Sequence, residues 1–331
     1  MHMTIGHVAA LWRYPVKSLG GEQVEQIHIG SRGLRGDRLW AVRDLQRDVT
    51  ATARRIPALL GATARYVKPV DADAGPGNAP EVEITFPDGS VVSSSDPDVH
   101  RKLSELVDRD VRLTALPPAD DTSLHKLSRD ERENMSIAAL RKDFGITDGE
   151  KFPDMSMFRV TDLATLGRYS TPPGMFVDLA PVHVMTQTSL TTIGAEIGGD
   201  PRDQVDVRRF RPNILLSLNN PGDGLPESQW TGGRLSLGGV VLDVTMPTIR
   251  CVVPSRAQPG FEVDRRITRA VASRANRCLG SYCWVATGGT VDVGDEAALK
   301  EGKHRALADV ARRTKRLAFG VATSAMDRFS R

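Results

Sequence analysis

Along most of this chain apolar residues alternate with polar ones at a period of two, and few stretches carry helical spacing. Residues 235–244 show this most clearly. Alternating apolar positions lead to Gly238-Gly239, and Val240, Val241, Leu242 and Val244 climb a return strand, which predicts a tight hairpin. That strand runs on through Met246-Pro247-Thr248-Ile249 and delivers Cys251 beside Arg250. A fixed positive charge favours the thiolate, which suits a soft ligand or a nucleophile. A small buried apolar residue is the other reading of a cysteine there.

The same alternation predicts strands at 8–14, 24–29, 37–42, 111–113, 176–185 and 214–218. It predicts further hairpins at 82–92, around Pro87-Asp88-Gly89-Ser90, and at 280–295, around Gly288-Gly289. Helical spacing picks out 96–107 after a capping Asp96, 190–197 capped by Thr188 or Ser189, 263–277, and a basic segment from 296 to about 317. Residues 117–154 are polar, with one candidate helical turn at 137–140, and read as a connecting excursion. The fold class is therefore mainly β with some α. We divide the chain at 1–116, 117–295 and a tail at 296–331.

With 331 residues there is core enough for two domains. The formal charge of +3 is carried by the tail, where 303–331 hold eight Lys or Arg against two Asp, so the body is slightly acidic. No nucleic-acid-binding motif stands on that body. No apolar run is long enough to span a bilayer and the N-terminus lacks a leader pattern, so a cytoplasmic location is expected. Three cysteines fit a reducing compartment, and Cys278 and Cys283 read as structural.

Several polar groups sit at strand ends. Lys17 and Ser18 follow Pro15 at the end of the first strand and suit an anionic group such as phosphate. Arg38 lies just before the strand that starts at Leu39-Trp40 and can face the same cleft. Thr186, Thr188 and Ser189 mark a strand-to-helix junction, a place where anions bind readily. Arg208, Arg209 and Arg211 repel one another unless a polyanion is bound, and Asn213 suits the edge of an amide-like heterocycle.

Six short motifs, Tyr14-Pro15-Val16-Lys17-Ser18, Gly36-Asp37-Arg38-Leu39-Trp40, Thr52-Ala53-Arg54, Phe210-Arg211-Pro212-Asn213, Arg250-Cys251 and Val293-Gly294-Asp295, occur in this order. Together they resemble MOSC-domain proteins with an N-terminal MOSC β-barrel domain, in the branch that reduces amidoximes and N-hydroxylated bases. The resemblance implies a barrel-like first domain, a MOSC β-barrel and a molybdenum cofactor. By the same resemblance Cys251 is the metal ligand and catalytic residue. Lys17, Ser18, Arg38, Thr186, Thr188, Ser189, Arg209, Arg211 and Asn213 would contact the cofactor. Pyridoxal phosphate binding is also associated with the family. The run 252–260 departs from the family, which often has small hydroxylated residues and an Asp-Pro step there. No ferredoxin domain follows, so a separate electron-donor protein is expected, acting on a small N-oxygenated substrate. The alternative from another class is a sulfur or cofactor carrier using a Cys251 persulfide.

Overall fold

The computed structural model describes residues 3–147, 150, 152–158, 160–198 and 205–302. Its centre is a closed barrel of seven strands: β1 (Met3–Arg13), β2 (Val182–Thr186), β3 (Ile214–Leu218), β4 (Arg234–Leu237), β5 (Val240–Ile249), β6 (Cys278–Thr287) and β7 (Glu296–Lys300). Around the barrel the order is β3-β2-β6-β5-β4-β7-β1, and β1 closes it by pairing antiparallel with β3. Only β2 and β3 run parallel, so the connection between them is a crossover, and it carries the Gln187–Ile197 helix.

Alternation decides which side chains fill the barrel. Val184, Ile214, Leu216, Leu235, Leu237, Val240, Leu242, Val244 and Cys283 point inward and are buried together. Met185 and Leu215, one residue out of phase, face outward and pack with Ile193, Ile267 and Val271 of the Gln187–Ile197 and Arg265–Ala275 helices. The hairpin at Gly238 forms as expected, with φ of +52° there and Leu237 opposite Val240.

The N-terminal half builds a second core. Val16, Leu19, Val42, Leu59, Ile84, Val99, Leu103 and Leu113 meet there, drawn from short strands and the Asp98–Val107 helix. Asp96 accepts from the Asp98 amide, one step outside the helix it was expected to cap. The barrel takes strands from both ends of the chain, so we propose the divisions at 116 and 295 as connections and not as sheet edges.

Four expectations change. The Gly289–Asp292 strand does not fold back on β6. It pairs with Gln26–Gly30, because both edges of β6 are already taken by β5 and β2. The cap of the Gln187–Ile197 helix is Thr186, whose hydroxyl accepts the Ser189 amide, and not Thr188 or Ser189. Residues 296–300, expected to begin a helix, are strand β7, because Ala297 and Leu299 complete the barrel core. The rest of that expected helix, from 303, lies outside the described residues. The 117–154 excursion is more helical than its composition suggests, with helices at Arg129–Glu133 and Ile137–Phe144.

Candidate functional site

The end of β5 opens onto a cleft between the barrel and the N-terminal core. Register shifts along the β5–β6 pair bend β5, and Arg250 is tied down by its amide, which donates to Arg277 O at 2.8 Å. Cys251 follows, half-buried, and lines the cleft together with Lys17, Arg38, Arg54, Arg211 and Arg250. Five cations thus share one cleft with this thiol.

Four of these five cations are held by contacts of their own. The Lys17 amide bonds Trp40 O, which fixes the turn after β1, and Ser18 Oγ accepts the Ala53 amide at 3.0 Å. Lys17 Nζ then reaches Asp178 Oδ1 at 2.5 Å. Arg38 pairs with Asp37, and its guanidinium lies 5.0 Å from the Tyr14 ring centre, while that of Arg211 lies 4.4 Å from the same ring. Arg250 donates to Phe210 O at 2.6 Å and approaches His183 Nε2 at 3.4 Å. Ser18, Arg38 and Arg211 all have positive φ, at 73°, 53° and 56°. Left-handed backbone at a serine and two arginines costs free energy, and its concentration at one cleft marks a functional site.

Electrostatics point the same way. Burial lowers the Lys17 pKa, against the pull of Asp178. Burial, with repulsion from Arg38, pushes Arg211 down to about 10, and burial also lowers Arg250. Buried Nη2 of Arg211 and Nε of Arg250 have no hydrogen-bond partner. Unpartnered donors on crowded, buried cations call for an anionic ligand. His183 is kept neutral by burial and by Arg250. Enclosure alone would raise the Asp178 carboxyl, but the Lys17 and Arg54 charges hold it well below the usual range.

Not every sequence-predicted residue comes to this cleft. Lys17, Ser18, Arg38, Arg211, Asn213 and Cys251 do. Asn213 sits at the floor as a clamp, its Oδ1 accepting the His183 amide and its Nδ2 donating to Trp12 O. Arg209 is placed elsewhere: its guanidinium donates to the carbonyls of Pro254, Arg256 and Glu262 and pins the loop after Cys251. Thr186 and Ser189 donate to the buried carboxylate of Glu227, at 2.8 and 2.6 Å, and Thr188 is buried beside them. That helix N-terminus is thus occupied by an internal carboxyl, whose pKa burial raises. Arg54, Asp178, His183 and Tyr282 line the cleft without having been singled out for a role. Asp178 and His183 lie in an apolar run, where single polar residues give no periodic signal.

The chain matches the MOSC domain over residues 172–298 and the MOSC N-terminal beta barrel domain over residues 5–110. It belongs to the MOSC-domain proteins that carry this N-terminal barrel, a family associated with the molybdenum cofactor. It is 24% identical over 322 residues to the human protein named mitochondrial amidoxime-reducing component 1, covering 89% of this chain and 83% of that one. Among solved structures, the YUAD protein from Bacillus subtilis is 12% identical, covers 90% of this chain and 97% of its own, and gives a TM-score of 0.42. YiiM from Geobacillus stearothermophilus, 14% identical, covers 37% of this chain and 55% of its own with a TM-score of 0.27.

The cleft fits such a cofactor. Among the described residues no group of three or more His, Cys, Asp or Glu side chains could hold a metal ion. A metal held at Cys251 would need its other ligands from outside the side chains, and the unpartnered donors of Arg211 and Arg250 suit an anionic group.

Proposed function

We propose that this chain is a molybdenum-cofactor-dependent oxidoreductase that removes oxygen from N-hydroxylated compounds. The observation that carries this reading is one half-buried thiol, Cys251, sharing a cleft with five cations, two of which, Arg211 and Arg250, have an unpartnered buried donor. The likeness to a protein named for amidoxime reduction supports the reaction class.

Cys251 would ligate the metal, and Lys17, Arg38, Arg54, Arg211 and Arg250 would hold and neutralise the cofactor's phosphate and dithiolene. The bound cofactor supplies the two-electron removal of oxygen. Asp178 stays ionised and presents an acceptor to substrate N–H groups. Burial keeps the Tyr282 phenol protonated, so it can donate to a substrate oxygen. The net change is an N-hydroxyl compound plus two electrons and two protons giving the reduced base and water. A separate donor protein supplies the electrons and solvent the protons.

The test is protein made in a host that synthesises the cofactor, reduced with a viologen dye and given an amidoxime. Two dye electrons should be consumed for each amidine formed. Molybdenum-loaded protein that reduces no N-oxygenated compound would overturn the reaction proposed.

A further inference from the structure

The Arg265–Ala275 helix carries four arginines and no acid, although it packs on a body that is slightly acidic. At 3.6 residues per turn Ile267, Ala270, Val271 and Ala275 fall on one side and are buried. Arg265, Arg269 and Ser273 line up on the opposite side and are exposed, with Arg266 at the border of that row. Arg274 lies off the row, near the C-terminus, where a cation suits the helix dipole.

The exposed row is electrostatically unfavourable by itself. Arg265 and Arg266 occupy the first turn, where the dipole favours acids, and Arg265 and Arg269 are like charges four residues apart. Asp264 offsets part of this by capping the helix and pairing with Arg266 at 2.9 Å. Among the described residues no carboxylate pairs with Arg265 or Arg269. Glu196 of the neighbouring helix accepts from Ser273 instead.

The buried side of the same helix reaches the thiol. Ile267, Thr268 and Val271 share a small cavity with Arg250 and Cys251. The Thr268 amide donates to Ser255 Oγ at 3.1 Å, and the carbonyl of Arg277, just past the helix, accepts the Arg250 amide at 2.8 Å. A helix with its side chains is about 10–12 Å across, so the arginine row stands about one helix diameter from Cys251. We propose that this face docks an acidic electron-carrier protein and is where electrons enter, with Arg265 and Arg269 as the steering charges. The inference rests on the proposed function for the need of electrons and adds the surface that receives them. Each encounter oxidises one reduced carrier by one electron, and two encounters supply the pair that the reaction consumes. Charge complementarity speeds encounter more than it tightens a complex, which suits a carrier that must leave after each transfer.

The probe is reduced plant-type ferredoxin, an acidic one-electron carrier, mixed with cofactor-loaded protein already shown to take electrons from a viologen dye. Stopped-flow absorbance follows ferredoxin oxidation. Arg265→Glu/Arg269→Glu should slow it at least about tenfold at low ionic strength, with the gap closing at high salt and the dye-driven rate unchanged. Calorimetric titration with oxidised ferredoxin should show the same salt-sensitive weakening. Glutamate in the first turn suits the dipole, so the thermal midpoint of this variant should not fall. Arg32→Glu/Arg112→Glu makes the same change in net charge at two exposed arginines of the N-terminal half and should cost far less. Equal losses in the two variants, no loss in either, or no ferredoxin oxidation at all would overturn the inference. So would salt-sensitive binding without electron transfer, which marks a general polyanion surface. A docking loss confined to Arg265→Glu/Arg269→Glu, in protein that reduces no N–O compound, would leave the face standing and sink the reductase reading. Dye-driven amidoxime reduction beside charge-insensitive ferredoxin oxidation would do the reverse.

Discussion

Lys17 and Asp178 form an ion pair that joins the turn after the first barrel strand to the segment leading into β2. The Nζ lies 2.5 Å from Oδ1, with the lysine side chain 4% exposed and that of the aspartate 66% exposed. Burying the ammonium is costly, and this pairing offsets part of that cost. Lys17→Met should leave stability within about 1 kcal/mol of the parent, because an apolar chain of similar length replaces a strained charge. The same variant should lose much of its cofactor, read as molybdenum per chain.

Gly280 is the reason His183 and Arg250 can sit where they do. It has φ of +84°, and an added Cβ would lie 2.3 Å from His183 Nε2 and 2.8 Å from Met185 Cγ. Gly280→Ala should destabilise by more than about 1 kcal/mol on backbone grounds alone, with the steric cost added. Denaturant midpoints measure the loss, and lower cofactor retention in the folded fraction should report the displaced Arg250.

Much of the barrel was legible because its strands bury one face each, and period two is visible without tertiary knowledge. The Gly289–Asp292 strand was misassigned because strand choice depends on which edges are free, which sequence neighbours do not reveal. In the arginine run 208–211, composition cannot say which guanidinium faces the cleft. The backbone turns Arg211 toward Tyr14, sends Arg209 to three loop carbonyls and leaves Arg208 on Asp206. At the Thr186 to Ser189 junction the hydroxyls suggest a phosphate site, whereas in the fold those of Thr186 and Ser189 donate to the Glu227 carboxyl. That this partner lies some forty residues on is not readable from the local pattern.

Arg209 now has a role that can be tested apart from cofactor binding. Removing its donors in Arg209→Met would leave three loop carbonyls short of a charged partner, at a cost of about 2–4 kcal/mol. Loosening residues 252–262 should also speed alkylation of Cys251, while Cys278 and Cys283, both buried, stay slow. Mass spectrometry of the labelled peptides distinguishes the three.

His125 gives the fold a pH dependence of definite sign. Its Nδ1 donates to Thr171 Oγ1 and its Nε2 accepts the Gly174 amide, so the ring is buried neutral, and burial pushes its pKa down to about 4. The unfolded imidazole binds a proton below about 6.5 and the folded one does not until about 4. Its contribution is therefore complete above pH 6.5 and is lost as the pH falls toward 4, on the order of 3 kcal/mol at most. Urea unfolding at stepped pH should show that slope, and His125→Asn should flatten it.

Metal analysis of the purified chain and of Cys251→Ser, both from a host that makes the cofactor, addresses the central claim most directly. We expect close to one molybdenum per parent chain and almost none in the folded variant. A persulfide on Cys251 with no metal, or full molybdenum in the serine variant, would contradict it.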